Sequence, residues 1–201
     1  MNYIKFVGSP GSGKTALVRQ ITKDLTGIYC DYWNPFEFGL AHVNCNCNHY
    51  TTLGKWNPKN QCCGVDSISG EGSFVKKVSS LLPTLKSKYL FDEGMINTTH
   101  TTVNELNKIS DFILIFLDYD ATTCYNRIIN NRHGSTTMKY VEGKVRGFRN
   151  LYKQFNGSKL SISGETTLEE ISSWVITKLD LSVCNCMKDI KIPKQSTLFG
   201  V

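Results

Sequence analysis

The sequence predicts a three-layer α/β domain built on a mostly parallel sheet of five strands, and three observations indicate it. An apolar run at residues 3–7 enters a glycine-rich turn and leaves it as a helix. Strand-like and helix-like segments then alternate along the chain, which is typical of a parallel sheet with helices on both faces. The apolar run at residues 112–117 is uninterrupted, as in a strand covered on both sides. The chain has 201 residues, 40% of them hydrophobic, which is enough for one such core.

Each element follows from its local pattern. Strands are expected where short apolar runs are bounded by turn residues, at residues 3–7, 27–31, 88–91, 112–117 and 160–163. Helices are expected where apolar residues recur at three- and four-residue spacing, at residues 16–21, 74–85, 103–109, 124–129, 141–155 and 168–179. The segment 32–72 is rich in Asn, Cys, Gly and Pro, and we expect an irregular insertion there. We therefore assign residues 1–180 to one domain and residues 181–201 to a C-terminal tail.

The turn after the first strand has the GxxxxGK[ST] pattern of a phosphate-binding loop. Its residues are Gly8, Ser9, Pro10, Gly11, Ser12, Gly13, Lys14 and Thr15. The glycines let backbone N–H groups surround an anion, and the positive end of the next helix faces it. Lys14 is placed to reach the β- and γ-phosphates, and the Thr15 hydroxyl is placed to coordinate the magnesium ion that bridges them. The pattern therefore predicts a nucleoside triphosphate ligand, for which we expect ATP, together with Mg²⁺.

Two acids end the predicted strand at residues 88–91, namely Asp92 and Glu93, which stand before Gly94. The carboxyl ends of parallel strands form the edge at which such folds bind ligands. A carboxylate at this edge can hold magnesium through its water shell or orient an acceptor. Glu93 is the first choice for this role and Asp92 the second. The alternative is a pair of solvated loop acids.

Charge and hydropathy restrict the partners. The net charge of +6 and the isoelectric point near 8.8 favour anionic ligands without choosing between a nucleotide and a polynucleotide. The first residues run directly into a strand, which leaves no room for a signal peptide, and no apolar stretch approaches the ~20 residues that span a bilayer. We therefore expect a cytoplasmic protein without a membrane partner.

The chain has eight cysteines, and in a reducing compartment these are expected to be free thiols. A zinc site is the alternative. The residues that could contribute to it are Cys45, Cys47, His49, Cys62, Cys63, Cys184 and Cys186. No CxxC pair occurs among them, and adjacent cysteines point in different directions, so the spacing favours free thiols over zinc.

Basic residues are concentrated between positions 127 and 159, where the only acid is Glu142. We expect a helical lid over about residues 127–145, in which Arg127 contacts the donor nucleotide and Arg132 stabilises the transferred phosphoryl group. Three more basic side chains follow at i, i+3 and i+7 on one helix, Arg146, Arg149 and Lys153. This stripe either follows a nucleic acid backbone or is an ordinary solvated helix face.

These features, in this order, resemble the nucleoside and nucleotide kinases among the P-loop proteins, thymidylate kinase in particular, over about residues 1–180. Thymidylate kinases usually have an Asp-Arg pair after the third strand, where this chain has Glu93-Gly94. A closer resemblance is to phage-encoded 5-hydroxymethyluracil DNA kinases, whose LGKY, GxDxxS and EG motifs are similar to three segments of this chain. The segments are Leu53-Gly54-Lys55-Trp56, Gly64-Val65-Asp66-Ser67-Ile68-Ser69 and Phe91-Asp92-Glu93-Gly94. Those enzymes phosphorylate the hydroxymethyl group of the base within DNA.

The resemblance implies a P-loop NTPase fold, ATP and Mg²⁺ as cofactors, DNA containing 5-hydroxymethyluracil as partner, and the host cytoplasm as location if the protein is phage-encoded. Lys14 and Thr15 carry over from the phosphate loop, and Asp66 and Glu93 face the acceptor. A primary alcohol needs a carboxylate that accepts its proton, and Asp66, Asp31 and Glu93 are the candidates. Two other functions stay open: a kinase of free nucleosides or nucleoside monophosphates, and a regulatory module that only binds nucleotide.

Overall fold

A computed structural model describes residues 2–26, 41–43, 50–53, 55–57, 62–64, 71–95, 97–132, 135–164 and 166–182. Six strands of this part form one sheet: β1 (Asn2–Val7), β2 (Ala41–Val43), β3 (Tyr50–Leu53), β6 (Tyr89–Asp92), β7 (Asp111–Leu117) and β8 (Ser158–Ile162). Two further strands, β4 (Lys55–Asn57) and β5 (Cys62–Gly64), pair antiparallel with each other in a separate two-stranded sheet. The order in the large sheet is β2-β3-β6-β1-β7-β8, so the first strand of the chain lies in its interior.

The predicted fold class is confirmed, because five of these strands, β3, β6, β1, β7 and β8, are parallel to one another. The structure adds a sixth strand, β2, which pairs antiparallel with β3 at the edge. The strands β2, β3, β4 and β5 all fall in the segment 32–72 that the sequence predicts to be irregular. Strands of three or four residues are too short to leave a hydrophobic period, which is why the pattern misses them. The strand predicted at residues 27–31 and most of the predicted tail lie outside the described residues.

The described helices are α1 (Lys14–Thr26), α2 (Glu71–Leu81), α3 (His100–Ile109), α4 (Ala121–Arg132), α5 (Met138–Gln154) and α6 (Leu168–Lys178). Alternation along β1 explains how they form two layers. Tyr3 and Val7 point into a core with α2, α3 and α5, whereas Ile4 and Phe6 point into a core with α1 and α6. Helix α4 packs its buried side chains on α5. The sheet is therefore covered on both faces, as its continuous apolar strands predict.

Threonine side chains fix the starts of three helices. Thr99 accepts a hydrogen bond from the Thr102 backbone N–H at the start of α3, and Thr137 does the same for Tyr140 at the start of α5. At the start of α6, Thr167 and Glu170 form a reciprocal capping box. Each cap satisfies a backbone donor that the helix itself leaves unpaired, which contributes about 1 kcal/mol to stability.

Candidate active site

The loop between β1 and α1 has the backbone that an anion-binding turn requires. Gly11 and Gly13 have φ angles of 79° and 91°, a region that residues with a Cβ atom seldom adopt. A Cβ atom on Gly11 would also collide with the backbone carbonyl of Cys124 in α4, so the loop fits closely against that helix. A Cβ atom on Gly13 would meet nothing within 4 Å, which leaves room on that side of the loop. The glycines thus have separate roles, close packing at Gly11 and open space at Gly13.

Lys14, which begins α1, lies over this loop. Its Nζ atom donates hydrogen bonds to the backbone carbonyls of Gly8 (2.9 Å) and Ser9 (3.1 Å), and the residue is only 8% exposed. The ammonium group and the positive end of α1 therefore act on the same spot. The Ser12 hydroxyl is buried in the loop and has no hydrogen-bond partner within the described part of the chain. A cation, a helix N-terminus and a buried hydroxyl donor together suit a phosphate group.

The acidic edge consists of two neighbouring carboxylates in different environments. Asp92, the last residue of β6, is fully buried and pairs with Lys5 of β1 at 2.7 Å. The same oxygen, Oδ2, accepts a hydrogen bond from the Tyr3 hydroxyl (2.6 Å), and Oδ1 accepts one from the Gly94 backbone N–H (3.0 Å). Burial, reinforced by the charge of Asp92, raises the pKa of the Tyr3 phenol well above its usual value. Asp92 is thereby committed to bonds inside the protein.

Glu93 follows Asp92 directly, 9% exposed, at the carboxyl edge of the sheet. The glycine-rich loop between β1 and α1 leaves β1 at this same edge, because β1 and β6 are adjacent and parallel. Since the oxygens of Asp92 are already bonded to Lys5, Tyr3 and Gly94, Glu93 is the better-placed of the two acids for a magnesium ion or an acceptor.

A cavity of about 320 Å³ adjoins the loop. Its walls come from the loop, α1, the segment after β7, α4 and the start of α6, and include Gly13, Ala16, Tyr119, Arg127, Thr166 and Ile171. The Arg127 guanidinium lies 4.5 Å from the centre of the Tyr119 ring, a cation–π contact that presents a flat surface to the cavity. The size and the flat wall suit a planar heteroaromatic base whose phosphates extend to the loop.

The structure brings together part of the predicted site. Arg127 lines the cavity that adjoins the glycine-rich loop, and Glu93 follows β6 at the edge of the sheet from which that loop departs. Asp31 and Asp66 lie outside the described residues, and α4 ends at Arg132, whose side chain is also outside them. Tyr119, Thr166 and Ile171 are wall residues that the sequence analysis did not identify. These residues follow β7 and β8, far along the chain from the loop. They can be assigned to the cavity only when the order of the strands in the sheet is known.

The residues of the alternative zinc site lie mostly outside the described part. Cys62 and Cys63 lie in β5, while Cys45, Cys47 and Cys184 are not described. Among the described residues, no group of three or more His, Cys, Asp or Glu side chains could hold a metal ion. Burial raises the pKa of the Cys124 thiol, which lies in α4 beside the loop. A raised thiol pKa lowers the fraction of thiolate, the form that reacts and binds metals.

Across the same described segments, every helix is too short or too polar to cross a membrane.

The fold is a three-layer α/β fold with a mostly parallel sheet, and solved structures share it. In overall structure the chain is similar to a sugar kinase from Janibacter sp., with a TM-score of 0.52 and 13% identity over 90% of this chain and 95% of that one. Weaker likenesses include a deoxyadenosine kinase from M. mycoides with bound dCMP (TM-score 0.48, 16% identity, 89% and 98% coverage). A shikimate kinase from Acinetobacter baumannii with shikimate is comparable (TM-score 0.47, 14% identity, 88% and 92% coverage). No protein-family model and no curated protein matches the sequence.

Proposed function

We propose that the protein is an ATP- and magnesium-dependent kinase that transfers the γ-phosphoryl group to an alcohol. One observation carries this proposal: the anion-binding loop with Lys14 opens into a base-sized cavity bounded by Arg127 and Tyr119. A nucleotide laid across this surface has its phosphates at the start of α1 and its base against the arginine–tyrosine stack. The fold that the chain shares with a sugar kinase agrees with this arrangement.

In the proposed mechanism the loop residues from Gly8 to Thr15 bind the donor phosphates through backbone N–H groups. Lys14 exchanges its carbonyl contacts for phosphate oxygens and neutralises the charge that develops on the β–γ bridge. The hydroxyl of Thr15 and, through water, the carboxylate of Glu93 are the residues that would hold magnesium. When bound, magnesium would supply positive charge to the β- and γ-phosphate oxygens. Asp92 supports this edge from inside the sheet.

The acceptor we propose is the hydroxymethyl group of 5-hydroxymethyluracil in DNA. Support comes from the LGKW, GVDSIS and DEG segments, which resemble those of DNA kinases that act in thymidine hypermodification. The alcohol oxygen would form a bond to the γ-phosphorus as the bond to the ADP oxygen breaks. The proton of the alcohol would pass to a carboxylate, for which Asp66, Asp31 and Glu93 are the candidates. Arg132 would offset charge on the transferred group. The reaction would take place in the cytoplasm, that of the host if the gene is carried by a phage.

Transfer of labelled phosphate tests the proposal. The protein is incubated with Mg²⁺ and ATP labelled at the γ-position, and with one of three acceptors: an oligonucleotide containing 5-hydroxymethyluracil, the same oligonucleotide with thymine, or free nucleosides and monophosphates. Label confined to the hydroxymethylated oligonucleotide is expected. Label confined to a free nucleoside or monophosphate would make the protein a metabolic kinase instead. No transfer, combined with tight nucleotide binding, would point to a regulatory module.

Three variants sharpen this test. Lys14→Met should lower transfer at least a hundredfold, since its charge acts on the transition state. Glu93→Gln should reduce transfer more strongly than it weakens nucleotide affinity, a separation that a protein without an acceptor would not show. Lys178→Met removes a matched charge from the far end of α6 and should leave both quantities unchanged.

A further inference from the structure

We propose that the groove between the start of α4 and the helix α5 binds the phosphodiester backbone of the DNA that carries the acceptor base. This inference rests on the proposed function and adds the contact surface for the polymer. The groove has a volume of about 520 Å³ and is separate from the base cavity. The described residues that line it include Ala121, Glu142, Arg146, Arg149, Asn150 and Lys153.

The charges in this groove are unevenly compensated. Arg149 forms an ion pair with Asp118 at 2.7 Å, so its charge is partly neutralised within the protein. Arg146 and Lys153 are exposed, and no carboxylate of the described residues lies within ion-pair distance of either. Glu142 is the acid among the residues that line the groove. Arg146 and Lys153, two turns apart on the same face of α5, therefore remain available to an external anion.

Two neighbouring lysines, Lys144 and Lys159, differ from Arg146 and Lys153 because their side chains contact groups within the protein. The Nζ atom of Lys159 donates hydrogen bonds to the Tyr152 and Phe155 carbonyls, so Lys159 closes the C-terminal end of α5. Lys144 lies over the ring of Tyr140 at 5.5 Å, one turn earlier on the same helix. The structure thus separates the basic segment into lysines with internal partners and a row of cations that face outward.

The geometry of the row suits a polymer better than a single phosphate. The Cα atoms of Arg146 and Lys153 are seven residues apart, which is about 10 Å along a helix. This length corresponds to about three nucleotides of a strand that rises 3.4 Å per nucleotide. A site for one phosphate would instead converge its donors on a single point.

The groove also lies at the correct edge of the sheet. Asp118 comes directly after β7, and β7 is the parallel neighbour of β1, from which the phosphate-binding loop departs. The ion pair between Asp118 and Arg149 therefore fixes the middle of the row beside the edge where phosphate would be transferred. A DNA strand bound along α5 passes this edge of the sheet. A base within that DNA strand is therefore held near the ATP that donates the phosphoryl group.

Salt dependence of DNA binding provides the test, with a fluorescein-labelled single-stranded oligonucleotide as probe. Each phosphate contact contributes about 0.7 to the slope of log affinity against log salt for single strands. The double variant Arg146→Gln/Lys153→Gln should therefore lower the slope by about 1.4. Between 50 and 200 mM salt, the wild-type affinity should then fall about sevenfold more than that of the variant. The matched control Lys86→Gln/Lys178→Gln removes the same charge at the opposite edge of the sheet and should keep the wild-type slope.

Glu142→Gln gives a change in the other direction. Removing the acid from the groove should tighten oligonucleotide binding about twofold or more at 50 mM salt. A damaged fold would not bind more tightly, so this gain separates an electrostatic role from a structural one. Thymidine monophosphate at millimolar concentration should compete poorly with the oligonucleotide. Effective competition would indicate a site for single phosphates and would overturn the proposal.

The outcomes distinguish the groove from the kinase activity. If hydroxymethylated DNA is phosphorylated but the Arg146→Gln/Lys153→Gln variant keeps the wild-type slope, the groove assignment is wrong and the function stands. If the slope changes as expected but no acceptor is phosphorylated, the DNA surface stands and the kinase proposal fails. If the wild type does not bind the oligonucleotide, the groove assignment is wrong whatever the acceptor is. Affinity for Mg-ATP should be the same in all these variants, because the altered side chains lie outside the cavity next to the loop.

Discussion

Replacing Lys5 by methionine should destabilise the protein strongly. Lys5 and Asp92 are both 0% exposed, and the 2.7 Å contact between them is the only ion pair of the described residues with both partners fully buried. Methionine fills a similar volume but leaves the Asp92 carboxylate without a counter-charge. Breaking a buried pair in this way costs about 3–5 kcal/mol. For a domain of this size the melting temperature should fall by roughly 6–20 °C.

The size of the effect is measured by urea unfolding followed by circular dichroism. The hydrogen bonds that Asp92 accepts from Tyr3 and Gly94 remain in the variant, so the expected loss lies toward the lower end of that range. The double variant Lys5→Met/Asp92→Asn removes the stranded charge and should regain about 1–3 kcal/mol relative to Lys5→Met. A loss below 1 kcal/mol for Lys5→Met, or a double variant less stable than the single one, would refute this reasoning. If Lys5→Met does not fold at all, recovery of folding in the double variant decides the matter.

Three further substitutions and one labelling experiment have expected outcomes. Gly11→Ala should abolish binding of a fluorescent ATP analogue, because φ is 79° there and the new Cβ would strike the Cys124 carbonyl. Gly147→Ala, inside α5 with open space at its Cβ, should instead raise the free energy of unfolding by about 0.5–1 kcal/mol. Thr167→Ala removes the capping box with Glu170 and should lower the urea midpoint by an amount equivalent to about 1 kcal/mol, with an unchanged m value. Burial raises the pKa of the Cys124 thiol, so it should be protonated at pH 8 and react with iodoacetamide far more slowly in the native protein than in urea, as read by peptide mass spectrometry; equal rates would contradict this.

The sequence was sufficient for the elements whose patterns are local. The GxxxxGK[ST] pattern predicted the glycine-rich turn that the structure has between β1 and α1, and the run at residues 112–117 predicted the buried strand β7. Alternation of strand-like and helix-like segments was enough for the fold class and its two helical layers, but not for the strands β2 and β3 of the sheet. These features depend on neighbours within about ten residues, so one sequence contains the information for them.

Features that depend on strand order could not be predicted. In the sequence, Lys5 is an isolated charge within an apolar run. Its partner becomes evident only from the register of β1 and β6, which places Lys5 opposite Asp92. The sequence therefore offered Asp92 as a possible magnesium ligand, although its oxygens are bonded inside the protein. Thr166 and Ile171 likewise belong to the cavity only because β8 ends near the phosphate loop. Such contacts depend on the register between strands that are distant in sequence, and the local hydrophobic pattern does not contain that information.

The interior position of β1 has a consequence for how the chain reaches this structure. Ile4 pairs with Phe91 on one side and with Ile113 on the other, so the strand that leads into the phosphate loop obtains its second neighbour only after more than a hundred further residues exist. At ribosomal rates of about 5–20 residues per second, synthesis from β1 to β7 takes roughly 5–20 s, and during this time one edge of β1 has no partner strand. Contacts of such long sequence separation also slow refolding of the complete chain. The cavity beside the loop also takes walls from Thr166 and Ile171, so it is complete only after the chain has been synthesised as far as α6.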